Sequence, residues 1–358
     1  MINFTVGPVN MDASTLEVGY KQLPYFRTPA FSSIMFESER LILNLCKAPC
    51  DSRACFMTCS GTGSMEAAVI NVLDNKDKVL VINGGTFGHR FSELCKMHNL
   101  DYDEIIVEAG CSLEERDLLK YDNNSYTALL VNVHETSTGV LYDMEMISNF
   151  CKKNNIILIA DIISSFLADP FDMKKLNVDV AIIGSQKALA CPPGVSIIVL
   201  SARAIERVNK HDCGCMYLDL KKALLDGKRG QTPFTCAVGT LLQINYKLKT
   251  IDNNGGVESE IKRISELASY FRSKLSKYPL GFFSKRMSNA VTSLYSTKGK
   301  SAFEICTILR DEYNIWVCPN GGDMKDKVFR VGHLGALSTK DYDSLFAAFD
   351  DMKARQLL

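Results

Sequence analysis

The stretch Ile156-Ile-Leu-Ile-Ala-Asp161-Ile-Ile-Ser-Ser-Phe166 is followed by Val178-Asp-Val-Ala-Ile-Ile-Gly184-Ser-Gln-Lys187 and then Pro192-Pro-Gly194. Two short apolar runs each end beside a charged side chain. Runs of this length, bounded by turn signals, read as fully buried parallel strands. Ligands of open α/β sheets sit beyond the carboxyl ends of such strands. Asp161 and Lys187 are therefore expected to face one crevice. Singly, each has a plain reading: an acid at a strand end caps or pairs at the surface, and a lysine after a strand is solvated.

Together they suit one chemistry. A lysine amine forms an imine with the aldehyde of pyridoxal phosphate (PLP), and a carboxylate pairs with its pyridinium nitrogen. Turns at neighbouring strand ends add to this reading. Ala54-Cys-Phe-Met-Thr58 reads as a strand feeding Ser60-Gly-Thr-Gly-Ser64, after which Met65, Ala68, Val69 and Val72 recur at helical spacing. A helix start offers free N–H groups and a positive dipole end to a phosphate. Thr62 and Ser64 add hydroxyls. The turn is not a P-loop, because no lysine follows its second glycine. After the strand Val79–Asn83 comes Gly84-Gly-Thr-Phe87, whose ring can stack on a heterocycle. His89 reads as a polar helix-start residue. After Ala128–Val133 comes His134-Glu-Thr-Ser137-Thr-Gly139, where Ser137 or Thr136 suits a phenolic oxygen.

Further out, Thr5-Val-Gly7-Pro8 has turn chemistry and a glycine that lets backbone approach a ligand. Arg27, in the rigid loop Pro24–Pro29, is a surface charge or an anion contact. Arg330 interrupts the apolar strand Lys327–His333, either as an edge-strand charge or as a fork for a substrate carboxylate. Residues 211–232 lack clear periodicity. Asp252-Asn-Asn-Gly255-Gly256 reads as a hinge. The expected organisation is an arm over residues 1–14, a large α/β domain over 15–250 with a mostly parallel sheet covered on both faces, and a small α+β domain over 251–358.

The bulk composition narrows the function. The 41 basic and 41 acidic side chains cancel, which gives no attraction to nucleic acid or anionic membranes. No apolar run has membrane-spanning length, and the first residues lack signal-peptide character, so a cytoplasmic location is expected. The 13 cysteines include a cluster at Cys46, Cys50, Cys55 and Cys59 and a Cys213-x-Cys215 pair. Neither has paired Cys-x-x-Cys spacing, so reduced thiols and no metal are expected.

Ser60-Gly-Thr-Gly-Ser-Met-Glu-Ala67, Asn83-Gly-Gly-Thr-Phe-Gly-His-Arg90, His134-Glu-Thr-Ser-Thr-Gly-Val140, Ala160-Asp-Ile-Ile-Ser-Ser165 and Gly184-Ser-Gln-Lys-Ala-Leu189 together resemble the class V PLP-dependent aminotransferases. The likeness covers nearly the whole chain and is nearest to serine–pyruvate/alanine–glyoxylate and 2-aminoethylphosphonate–pyruvate transaminases. It implies the aspartate-aminotransferase-like fold (fold type I) and a homodimer with sites at the subunit interface. It implies Lys187 as the imine-forming lysine and Asp161 as the partner of the ring nitrogen. Thr62, Gly63, Ser64 and Gln186 match phosphate contacts, Phe87 the stacking ring and Ser137 the phenolic-oxygen contact. Arg330 matches a carboxylate clamp, with Gly7 and Arg27 as further substrate candidates. Thr232 resembles a phosphate contact given by the neighbouring subunit, and a tyrosine of some relatives is Arg229 here. The activity implied is ping-pong transfer of an amino group from an amino acid or aminophosphonate to a small 2-oxo acid, pyruvate or glyoxylate. Two rivals share the cofactor, a cysteine desulfurase and a PLP-binding regulator without turnover. Phe87 in place of a stacking His argues against the first. Phosphoserine transaminase fits less well. A nicotinamide dehydrogenase is opposed by the missing Gly-x-Gly-x-x-Gly after the first clear strand.

Overall fold

The structure is a computed structural model that describes residues 1–122 and 126–358. Its strands, in chain order, are β1 (Ile2–Phe4), β2 (Arg53–Met57), β3 (Lys78–Asn83), β4 (Asp101–Ile106), β5 (Ala128–Asn132), β6 (His134–Glu135), β7 (Val140–Leu141), β8 (Ile157–Asp161), β9 (Val180–Gly184), β10 (Ser196–Leu200), β11 (Leu280–Phe282), β12 (Val291–Ser296), β13 (Ile315–Pro319) and β14 (Phe329–Gly332). Seven of them form the main sheet in the order β2-β10-β9-β8-β5-β3-β4. All run in one direction except β10, which is antiparallel to β9 and β2.

Every residue of β5, β8, β9 and β10 is buried. The reason is visible in how their side chains sort. Leu129, Val131, Leu158, Ala160, Ala181 and Ile183 join one core with Phe31, Ile147 and Leu241. Leu130, Ile157, Ile159, Val180 and Ile182 join a second core with Met65, Val69, Phe91 and Leu94. Successive side chains of a strand point to opposite faces, so a strand covered on both sides must be apolar throughout. The same alternation aims the ends. Asp161, Asn132 and Gly184 lie on the parity of the second core, which is also the side of the helix Gly61–Val72.

A second sheet, in the order β1-β13-β14-β12-β11, carries the smaller body. Its core packs Phe4, Phe271, Ile305, Phe329, Val331, Tyr342 and Phe349. β14 is the centre of this sheet, so Arg330 is not an edge-strand surface charge. The expected arm of residues 1–14 splits. Ile2–Phe4 pairs in parallel with Ile315–Val317, residues 6–9 run past Lys187, and Ala13 already begins a helix. The expected hinge is where the helices Val238–Asn253 and Gly256–Ser273 meet, with Gly255 at φ +99°. Residues 211–232, read as aperiodic, contain the helix Leu220–Gly227, whose two turns are too short to set a pattern.

Candidate active site

Asp161 ends β8, and its register partner across β5 is Asn132. The Asn132 side chain donates to Asp161 Oδ2, and the Ile163 N–H donates to Oδ1 at 2.8 Å. Burial raises the Asp161 carboxyl to about 6, against the pull of these two hydrogen bonds. No cation pairs with it among the described residues. Gly184 ends β9 two residues past Ile182, the register partner of Asp161, and has no side chain. A Cβ there would lie 2.9 Å from Gln186 Oε1 and 3.0 Å from Ile163 Cγ2.

Lys187 follows β9 by three residues. Its Nζ donates to the carbonyl of Val6 at 2.7 Å. Burial is the largest effect on this amine, opposed by Cys318 and Asp161 and helped by Arg330, and together they bring it down to about 8. Gly7 packs on the lysine stem, with φ at +128°.

The helix Gly61–Val72 is capped by Ser60, whose side chain accepts the Gly63 N–H at 3.4 Å. Thr62 and Gly63 stand half-exposed at its first turn. A Cβ on Gly63 would meet Cys59 Cβ at 2.9 Å, so only glycine fits. Ser64 departs from expectation. Its hydroxyl is fully buried and bonds to Ser196 and Cys59, away from the helix start, because position N4 faces the sheet.

Ser137 departs likewise. Its hydroxyl donates to Glu135 and accepts the Thr86 N–H at 3.1 Å. The helix Thr86–Met97 has no cap of its own, since Gly85 precedes it. Glu135 fills that role. Fully buried, it accepts the N–H groups of Gly88 at 2.8 Å and Phe87 at 3.2 Å. It thereby sets the half-exposed Phe87 ring. Thr136, the other hydroxyl considered, donates to Ser164 at 2.8 Å. Sequence reading missed Glu135. The only signal was a carboxylate among small polar residues after β5.

Arg330 lies buried on β14. It donates to the Thr136 carbonyl at 3.0 Å and the Pro319 carbonyl at 2.6 Å, which draws the small sheet against the β6–β7 hairpin. Among the described residues its Nε has no partner, and neither do the buried Asn132 Oδ1 and His134 Nε2. His134 shares its other ring nitrogen with Ser164 at 2.9 Å, and burial drops its titration to about 3.

Arg27 and Thr232 meet each other instead of the crevice. The guanidinium donates to the carbonyls of Thr232 at 2.6 Å and Pro233 at 3.2 Å, and the Thr232 hydroxyl donates to Phe234. Arg229 pairs with Asp226 at the surface. The Gln186 carbonyl accepts the Val9 N–H at 3.3 Å. Among the described residues no cluster of His, Cys, Asp and Glu is arranged to hold a metal.

This arrangement has counterparts. The sequence model of the family described as aminotransferase class-V matches residues 26–323. The chain belongs to the class V aminotransferases. An uncharacterized aminotransferase of Methanocaldococcus jannaschii is 33% identical over 294 residues, covering 80% of this chain and 75% of that protein. The L-aspartate–glyoxylate aminotransferase of Paracoccus denitrificans is 26% identical over 344 residues, 94% of this chain and 86% of its own length. The aspartate aminotransferase of Thermus thermophilus, 27% identical, superposes over 100% of both chains with a TM-score of 0.91. The fold is accordingly that of the type I aminotransferases, and the chain is a transaminase.

Proposed function

We propose that this class V aminotransferase uses pyridoxal phosphate to move an amino group from an amino acid or aminophosphonate to a small 2-oxo acid, glyoxylate or pyruvate, with donor and acceptor using one site in turn. The observation that carries the cofactor is Asp161, a buried carboxylate with two hydrogen bonds and no cation among the described residues. Such a group asks for a partner bearing a positive N–H. Asn132 Oδ1, His134 Nε2 and Arg330 Nε, buried and without partners among the described residues, suit a polar ligand.

When bound, the cofactor supplies an electron sink for the bonds at the substrate Cα. The chain's own groups do the rest. Asp161 holds the ring nitrogen protonated. With its amine near 8, Lys187 is neutral in about a tenth of molecules at pH 7, enough to act as a base toward the Cα proton. Thr62 and the free N–H groups of the helix start receive the phosphate. The Phe87 ring, held by Glu135, covers one face of the heterocycle. Arg330 meets a substrate carboxylate, and Gly7 bounds that side of the pocket. Gln186 stays a phosphate contact in this reading, by sequence position. A glyoxylate acceptor is supported by the name of the Paracoccus relative.

We also propose a homodimer, in which Thr232 and Arg27 belong to the subunit boundary. Its support is the exposure of Tyr20, Leu23, Tyr25 and Phe36 within one short segment, and of Met216 and Tyr217. A cytoplasmic setting is supported by cysteines that are all free and by the lack, among the described residues, of a helix long and apolar enough to span a membrane.

The test is a half-reaction screen. Reconstituted protein is mixed with single amino donors while the cofactor's absorption is followed, and the aminated enzyme is then given glyoxylate or pyruvate. Spectral conversion by a donor and its reversal by an oxo acid are expected. Conversion by no donor, or sulfide release from cysteine, would overturn the reading.

A further inference from the structure

Arg90 stands in unusual surroundings. It lies one turn after Phe87 in the helix Thr86–Met97. Its guanidinium donates to Thr62 Oγ1 at 3.0 Å. The same group sits 4.9 Å from the centroid of the Phe87 ring. Among the described residues it has no carboxylate partner, although the chain places most of its arginines in ion pairs or on backbone carbonyls.

Those contacts have a chemical consequence. A hydroxyl has one proton to give and two lone pairs to fill. Arg90 occupies a lone pair of Thr62, and the Thr62 proton has no acceptor among the described residues. The hydroxyl is thus oriented and polarised as a donor, at the first turn of the helix Gly61–Val72, where anions are favoured. A full positive charge stands one hydroxyl behind. On its other flank the guanidinium covers one face of Phe87, a cation–π contact that fixes the ring plane. The opposite face is left for a stacked ligand.

We infer that Arg90 is a positioning residue which couples the two grips on the cofactor, sharpening Thr62 as a phosphate donor and holding Phe87 flat. The inference rests on the PLP reading above and goes beyond it, because Arg90 touches neither substrate nor reacting atoms.

Equilibrium titration of apoprotein with PLP, and separately with pyridoxal, which lacks the phosphate, tests this. Loss of one charge-assisted contact predicts that Arg90→Met weakens PLP at least about tenfold. Pyridoxal should weaken much less, and inorganic phosphate should compete less against PLP than in the wild type. Arg90→Lys should recover most of the preference for PLP over pyridoxal. In a Thr62→Val background, Arg90→Met or Arg90→Lys should change that preference little further, since the relay is already cut. Unchanged PLP affinity in Arg90→Met, or equal loss of both ligands, would overturn the inference. Should Arg90→Met not fold, the cycle between Thr62→Val and Arg90→Gln, which removes the charge, reads the same coupling. A wild-type protein that binds no PLP would instead sink the underlying reading.

Discussion

Gly7 lies flush against Lys187. A Cβ built on Gly7 would fall 2.7 Å from Lys187 Cδ and 3.1 Å from the Gln186 carbonyl, while the carbonyl of Val6 takes the lysine's N–H at 2.7 Å. The amine is therefore aimed by a segment that belongs, a few residues earlier, to the other sheet. Gly7→Ala meets both the clash and a φ of +128°. It should cost about 1–3 kcal/mol of stability, read by thermal unfolding, and misplace the amine enough to lower turnover on the order of 10²-fold.

Capture of PLP by Lys187 should depend on pH in a defined direction. The amine titrates near 8, below its ordinary value, so its nucleophilic neutral form grows as pH rises and levels off above about 8. The rate of borohydride-trappable attachment, mapped to the peptide holding Lys187, should follow that curve. Lys187→Ala should trap nothing and lose on the order of 10⁴-fold or more in turnover. Attachment at another lysine would remove Lys187 from its role.

Asp161 exchanges stability for function. Its folded carboxyl titrates near 6, against 3.8 ordinarily. Between those values the folded protein keeps a proton that the unfolded chain releases, so its contribution falls as pH rises through the window. The penalty at neutral pH is about 3 kcal/mol. Asp161→Asn apoprotein should therefore be more stable than wild type by about 1–3 kcal/mol at pH 7, and the advantage should nearly vanish at pH 4. The same variant should gain less stability from added PLP and be nearly inactive.

Glu135 caps a helix to which it does not belong. Glu135→Ala would strip acceptors from the N–H groups of Phe87, Gly88 and Ser137 and from the Ser137 hydroxyl. The loss should be about 3 kcal/mol or more in denaturant unfolding. Glu135→Gln, with the same shape, should recover part of it. Equal stability of all three proteins would refute the cap.

The structural contacts of Arg330 and its proposed role as a carboxylate clamp separate by substitution. Arg330→Lys keeps the charge but loses the fork, so kcat/KM should fall about 10–100-fold with carboxylate-bearing donors. A donor with no carboxylate should be affected less in its half-reaction. Stability should fall as well, because the contacts to Thr136 and Pro319 are also lost.

Much of the site was legible because it lies where one short-range rule applies. Asp161 and Lys187 follow buried apolar runs, and strand parity turns Asp161 and Asn132 to the same side. Arg330 stood out as a charge inside an apolar strand. Glu135 and Arg90 did not stand out, because each acts on residues tens of positions away in the chain, Phe87 and Thr62. Ser64 and Ser137 sit within the right motifs, yet a motif does not say which way a hydroxyl turns. Arg27 was read as a candidate anion contact, and within the chain its guanidinium is instead taken up by the carbonyls of Thr232 and Pro233, far away in sequence. β1 gave no local signal, since three residues carry too little pattern to predict a parallel partner near position 315.

That pairing bears on synthesis. Ile2 and Phe4 are made well before their hydrogen-bonding neighbours, Ile315 to Val317. The lysine's carbonyl partner at Val6 is tethered to this strand. The contact that aims the Lys187 amine consequently stays loose until β13 is made, well after the strands of the large sheet have been translated.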